Sequence, residues 1–153
     1  MGMDVHRPRA RFPVLYIEDE ENDIILMQQA FKKAMISHPL KVARDGQMAL
    51  DYLSGSGEYA NRQAHPMPGL MLLDLNLPGR SGFEVLGWIR THIQAGSIVL
   101  ICSSSGDPED IRKSYVLGAN GYVMKPSGFD NLFALVCAMR DYWLVHNEML
   151  GGR

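Results

Sequence analysis

Three short apolar runs in this chain each end on a charge: VLYI (14–17) on Glu18-Asp19, LMLL (70–73) on Asp74, and YVM (122–124) on Lys125-Pro126. Runs of this length and composition read as buried strands. In open α/β sheets, ligand groups gather beyond the carboxyl ends of parallel strands, so these charges are candidates for one shared pocket. That pocket would hold three carboxylates and an ammonium. Carboxylates so close together cannot all stay ionised unless a cation neutralises them, and hard oxygen ligands favour Mg²⁺. The pattern reads as magnesium-dependent phosphoryl chemistry.

The order of elements supports the sheet. FPVLYI (12–17) is β-rich, and Ile24, Ile25, Met27, Ala30, Phe31, Ala34 and Met35 then recur at helical spacing, with Asp19 to Asp23 supplying the acid that a helix N-terminus favours. Ser37-His38-Pro39 ends that helix. LKVA (40–43) is a short second strand, and Asp45-Gly46 turns into a helix carrying Met48, Ala49, Tyr52 and Leu53 on one face. Residues 55–68 hold several helix breakers and no sustained period, so they read as a surface loop, long for an α/β unit. GLMLL (69–73) is a central strand, and Phe83, Val85, Leu86 and Ile89 carry a third helix to a stop near Gly96. SIVLIC (97–102) is a fourth strand. Asp107-Pro108-Glu109 starts a helix that Gly118 stops, GYVM (121–124) is a fifth strand, and a long last helix runs from Ser127 past Val145. Five strands alternating with five helices imply a doubly wound, five-stranded parallel α/β sheet with right-handed crossovers.

At 153 residues and 46% hydrophobic content, the chain has the size of one domain with one real core, expected over residues 12–147 between an N-terminal tail (1–11) and a C-terminal tail (148–153). A net charge of -2 with dispersed Lys and Arg argues against nucleic acid or an anionic membrane as partner. Two distant cysteines, Cys102 and Cys137, suit a reducing cytoplasm, and no segment has the run of about 20 apolar residues of a membrane span. The five histidines show no zinc spacing.

With these residues in place, IEDE (17–20), LLDLNLPGRSG (72–82), the hydroxyl at Ser103 and GANGYVMKP (118–126), taken together, resemble the response regulator receiver domains of two-component signalling. The resemblance implies the flavodoxin-like (βα)5 fold with strand order 2-1-3-4-5. It implies Asp74 as phosphoacceptor, Mg²⁺ held by Glu18, Asp19, Asp74 and the backbone carbonyl of Asn76, and Lys125 as the cation that meets the phosphoryl group. Ser103 takes the place of the switch hydroxyl, Tyr122 that of the aromatic coupled to it, and Pro126 follows a peptide bond that is cis in the family. Ser105 and Asn76 stand where the family tunes the lifetime of the acyl phosphate. The implied protein is not an enzyme in its own right.

With a single helix after Pro126, the chain reads as a standalone, cytoplasmic regulator. GSGEYANRQ (55–63), LDLNLPG and RDYWL (140–144) resemble the regulators of bacterial phytochrome histidine kinases, which implies such a kinase as partner and a homodimer through the α4-β5-α5 face. The last helix is apolar around much of its circumference, and a dimer surface is expected from Ile111, Tyr115, Val116, Phe133, Val136, Tyr142 and Trp143. Two other readings compete. One is a receiver-like interaction module that works without phosphorylation. The other is an aspartyl-phosphate hydrolase, which uses a second acid two residues after its nucleophile, where this chain has Asn76.

Overall fold

The computed structural model describes residues 12–93 and 96–149; the expected N-terminal tail, with its basic residues, and the end of the C-terminal tail lie outside them. The elements run β1 (Val14–Ile17), α1 (Glu21–Lys33), β2 (Leu40–Ala43), α2 (Gly46–Ser54), β3 (Leu70–Leu73), α3 (Gly82–His92), β4 (Ile98–Ser103), α4 (Pro108–Val116), β5 (Gly121–Met124) and α5 (Phe129–Met139). All strands pair in parallel, in the order β2-β1-β3-β4-β5.

Why the sheet is doubly wound follows from the two-residue period of its central strands. Leu15, Ile17, Met71, Leu73, Val99 and Ile101 face one core, closed by Ala49, Leu53, Val85, Leu86 and Ile89 of α2 and α3. Val14, Tyr16, Leu70, Leu72 and Leu100 face the other, closed by Ile24, Met27 and Phe31 of α1 and Leu132, Val136 and Met139 of α5. With both faces covered, these strands carry no charged side chain until they end.

Helix boundaries follow local chemistry. Asp45 caps α2 by accepting from the Met48 N–H at 2.7 Å, and Asp107 caps α4 by accepting from the Glu109 N–H at 2.9 Å. α1 stops sooner than its apolar period suggests. Met35 adopts a left-handed φ of 57° and is 88% exposed, so it lies off the buried face. The last helix also differs from the single long one expected, because it passes at Arg140–His146 into a π-helical stretch.

The long loop after α2 is built rather than loose. It contains a 3₁₀ turn (Gly57–Ala60), and the Arg62 guanidinium donates to the carbonyls of Tyr52 (2.6 Å) and Leu53 (2.8 Å), which the end of α2 would otherwise leave open. The Tyr52 hydroxyl donates to the Pro66 carbonyl at 2.8 Å, closing the loop from the other side. Arg90 does similar work at the far end of the sheet. Its guanidinium donates to the carbonyls of Gly118 and Ser97 and to Asn120 Oδ1, tying α3 to the start of β4 and the turn after α4.

Candidate functional site

The parallel register brings the charged residues to one edge of the sheet, with Glu18 and Asp74 level and Lys125 two residues further out. Ile17 pairs with Leu73, Leu73 with Ile101, and Ser103 with Met124. The ladder then continues one step past the strands: Asp74 N–H donates to the Ile17 carbonyl (3.1 Å), Glu18 N–H to the Ala43 carbonyl (3.0 Å), and Lys125 N–H to the Ser103 carbonyl (2.8 Å). Each charge therefore leaves the sheet from a fixed backbone, and all of them leave at the carboxyl edge.

There, Glu18, Asp19 and Asp74 each offer a carboxylate oxygen within 4.8 Å of the others. Glu18 and Asp74 are buried, whereas Asp19 is exposed and opens the cluster to solvent. Lys125 Nζ donates to Asp74 Oδ2 at 3.0 Å and to Asp23 Oδ2 at 2.9 Å. It also lies 2.9 Å from Glu18 Oε2, but off the line of a hydrogen bond, so that oxygen is buried with no donor. That oxygen rests on the ion pair alone, with no aligned donor, and a second cation would complete its surroundings. Three convergent carboxylates, one with an unsatisfied buried oxygen, suit a hard divalent cation.

The electrostatics agree. Burial, reinforced by the neighbouring Asp74 carboxylate, pushes the Glu18 carboxyl up to about 7 against the opposing pull of Lys125. Burial works to lower the Lys125 ammonium, yet Glu18, Asp23 and Asp74 together outweigh it and hold the group above its ordinary value, fully charged. Cys102, on the strand beside this site, is pushed by burial up to about 12 and is an inert core thiol.

The remaining expected residues fall close by. Asn76 is exposed and its N–H donates to Asp74 Oδ1 at 3.2 Å. Ser103 ends β4 fully buried, its hydroxyl accepting from the Ser105 N–H at 3.1 Å. Tyr122 packs against the core, and its hydroxyl donates to the Ser105 carbonyl at 2.7 Å. The Ser105 hydroxyl in turn donates to Asp110 Oδ2 at 2.6 Å, in the first turn of α4.

Two expectations are corrected. No peptide bond among the described residues is cis, so Lys125-Pro126 is trans, and with that geometry Lys125 already reaches all three carboxylates. Val136 cannot serve a dimer surface, because it is fully buried between Leu132 and Met139 on the core stripe of α5. Phe133 and Trp143 are partly covered by the same core, and Ile111 is half-buried. Tyr115 (51%), Val116 (71%) and Tyr142 (57%) are exposed, and Met124 and Val145 join them. Asp23, conversely, is a site residue that the sequence reading assigned only to helix polarity.

Gly82 shows how tightly the site is framed. A Cβ there would stand 2.3 Å from the Asp74 carbonyl oxygen and 2.6 Å from Leu75 Cα, both backbone atoms that cannot turn aside. Gly82→Ala is expected to cost roughly 1–3 kcal/mol in denaturant titration, as overpacking does, and to slow any chemistry at Asp74.

Known proteins resemble this chain over most of its length. The family model of the response regulator receiver domain matches residues 14–137. Response regulator Rcp1 of Synechocystis sp. is 37% identical over 132 residues, covering 86% of this chain and 88% of Rcp1. The crystal structure of the phosphorylated cyanobacterial phytochrome response regulator RcpA superposes with a TM-score of 0.84 at 35% identity, covering 92% of this chain and 99% of RcpA. That of the Mn²⁺-bound form of Rcp1 does so with a TM-score of 0.81 at 33% identity, covering 92% and 99%.

Proposed function

As the chain belongs to the response regulator receiver family, we propose that Asp74 accepts a phosphoryl group from the phosphohistidine of a histidine kinase, in a site completed by Mg²⁺. The observation that carries this reading is the Lys125 ammonium, held within 3.0 Å of Asp74 beside the Glu18, Asp19 and Asp74 carboxylates. A carboxylate oxygen of Asp74 forms the new bond to phosphorus as the P–N bond to the kinase imidazole breaks. The electron pair leaves with the imidazole nitrogen, which takes a proton from solvent. Lys125 meets the charge on the transferred phosphoryl oxygens, and the Asn76 N–H holds Asp74 Oδ1 in place. Glu18, Asp19, Asp74 and the Asn76 carbonyl would hold Mg²⁺, which would supply further charge neutralisation in the site. Incubation with acetyl phosphate tests the reading by intact mass: one phosphoryl adduct is expected with Mg²⁺ and none with EDTA. Continuous release of phosphate at enzyme-like rates would favour a hydrolase instead.

Signal output goes through Ser105. The Ser103 hydroxyl accepts from its N–H, while its carbonyl accepts from the Tyr122 hydroxyl. A phosphoryl oxygen that draws the Ser103 hydroxyl away releases this residue, and with it the hold on Tyr122 and on Asp110 of α4. A local charge change thereby reaches the α4-β5-α5 face.

The similarity to RcpA, a cyanobacterial phytochrome response regulator, supports a phytochrome-type kinase as the donor. Phosphotransfer from a purified phytochrome kinase, faster than from a kinase of another class, is the expected result. Five of the eight large exposed apolar side chains among the described residues (Tyr115, Val116, Met124, Tyr142 and Val145) belong to α4, β5 and the segment after α5. That bias supports a homodimer through this face. Tyr142→Glu leaves the core untouched and is expected to turn a dimer into a monomer by light scattering; a monomer in both forms would remove the claim.

A further inference from the structure

We infer that Asp23 is a positioning residue for phosphotransfer, anchoring the Lys125 ammonium at the mouth of the site while its other two partners change state. The inference rests on Asp74 being the acceptor. Three carboxylates surround Nζ: Glu18 and Asp23 at 2.9 Å and Asp74 at 3.0 Å. Two of them are committed elsewhere during the reaction. Asp74 gives up its carboxylate charge when one of its oxygens bonds to phosphorus, and Glu18 belongs to the cation-binding triad. Asp23 lies outside that triad and outside the bond-forming step, so its hold on Lys125 is the one that persists.

Packing does not do this work instead. Lys125 and Asp23 both line a small cavity of about 50 Å³ with Tyr16, Leu26, Met27 and Leu132, so the lysine stem has free space beside it. A flexible four-carbon chain next to a void takes its direction from what its ammonium binds. Asp23 in turn is set by the first turn of α1, a rigid element whose buried Ile24 and Met27 fix its rotation on the sheet. The geometry therefore aims Nζ at the phosphoryl oxygens without a ligand of its own in the reaction.

The test uses the full chain with acetyl phosphate, in which Asp74 oxygen bonds to phosphorus as the P–O bond to acetate breaks and acetate leaves with the electron pair. Asp23→Asn is expected to lower the maximal phosphorylation rate about tenfold, less than the loss of a direct transition-state donor. The half-saturating donor concentration and the Mg²⁺ affinity, measured by calorimetry, should move by no more than about twofold. Asp23→Glu should restore most of the rate. In a Lys125→Met background the Asp23 substitution should have no further effect, since it acts through the lysine. A rate that is unchanged or higher in Asp23→Asn, as removal of a charge that repels the anionic donor would give, overturns the inference, as does a loss that follows Mg²⁺ affinity or persists without Lys125. Absence of any wild-type adduct would instead overturn the assignment of Asp74, and this inference with it.

Discussion

Asp74→Asn is expected to abolish the phosphoryl adduct outright, under the Mg²⁺ and acetyl phosphate conditions that label the wild type fully. An amide oxygen carries no full negative charge and does not displace acetate from phosphorus, and among the described residues no other carboxylate is buried with Lys125 Nζ donating to it. The variant should keep its fold. Asn can still accept from Lys125, and the change removes one of the charges crowded with Glu18 and Asp19. Circular dichroism and a denaturant midpoint at or above that of the wild type in metal-free buffer would separate lost chemistry from lost structure. An adduct of undiminished yield in Asp74→Asn would place the acceptor elsewhere.

Lys125→Met has the second large effect, on stability as well as rate. The ammonium is the counter-charge to Glu18 and Asp74, both buried, and its removal leaves them facing each other. Breaking a buried ion network by removing one partner costs about 3 kcal/mol, seen as a lower urea midpoint in EDTA. A cation that binds only the native state stabilises it by about 2.7 kcal/mol at a hundredfold excess over its dissociation constant, so excess Mg²⁺ should recover most of the loss. Phosphorylation should stay slow all the same, because the metal does not restore the donor to the phosphoryl oxygens. A variant whose stability in EDTA equals that of the wild type would show that the lysine does not hold the cluster together.

The sheet and its chemical edge were legible because its strands read as short apolar runs, and three of those runs, at β1, β3 and β5, end on a charge. LKVA (40–43) and GYVM (121–124) match β2 and β5 in full; the alternation of strands and helices implied the doubly wound parallel sheet, and the family resemblance implied the strand order that is observed. What escaped the sequence reading depends on contacts distant along the chain. Asp23 looks like a routine acid at a helix start, and its partner lies 102 residues away. Arg62 gives no sign in the sequence that it closes the end of α2. Val136 was assigned outward, although the spacing Leu132, Val136, Met139 is the stripe that α5 buries; an abundance of apolar residues around that helix hid the true face. Met35 continued the apolar period of α1 past the point where the backbone turns left-handed. The trans bond before Pro126 marks the limit of resemblance: a family habit in the backbone was carried over to a lysine that reaches its partners without it.

Arg90 sets how α4 can move. Its guanidinium bolts the Gly118 carbonyl and Asn120 to α3, so the trailing end of α4 has a fulcrum. The leading end is moored by small hydroxyl groups, Ser105 on Asp110 and Tyr122 on Ser105. A rod pinned at one tip and tethered at the other swings rather than slides. Displacement on phosphorylation should be widest near Asp107 and vanish near Gly118, and amide hydrogen exchange should quicken at residues 105–110 while 118–120 stay protected.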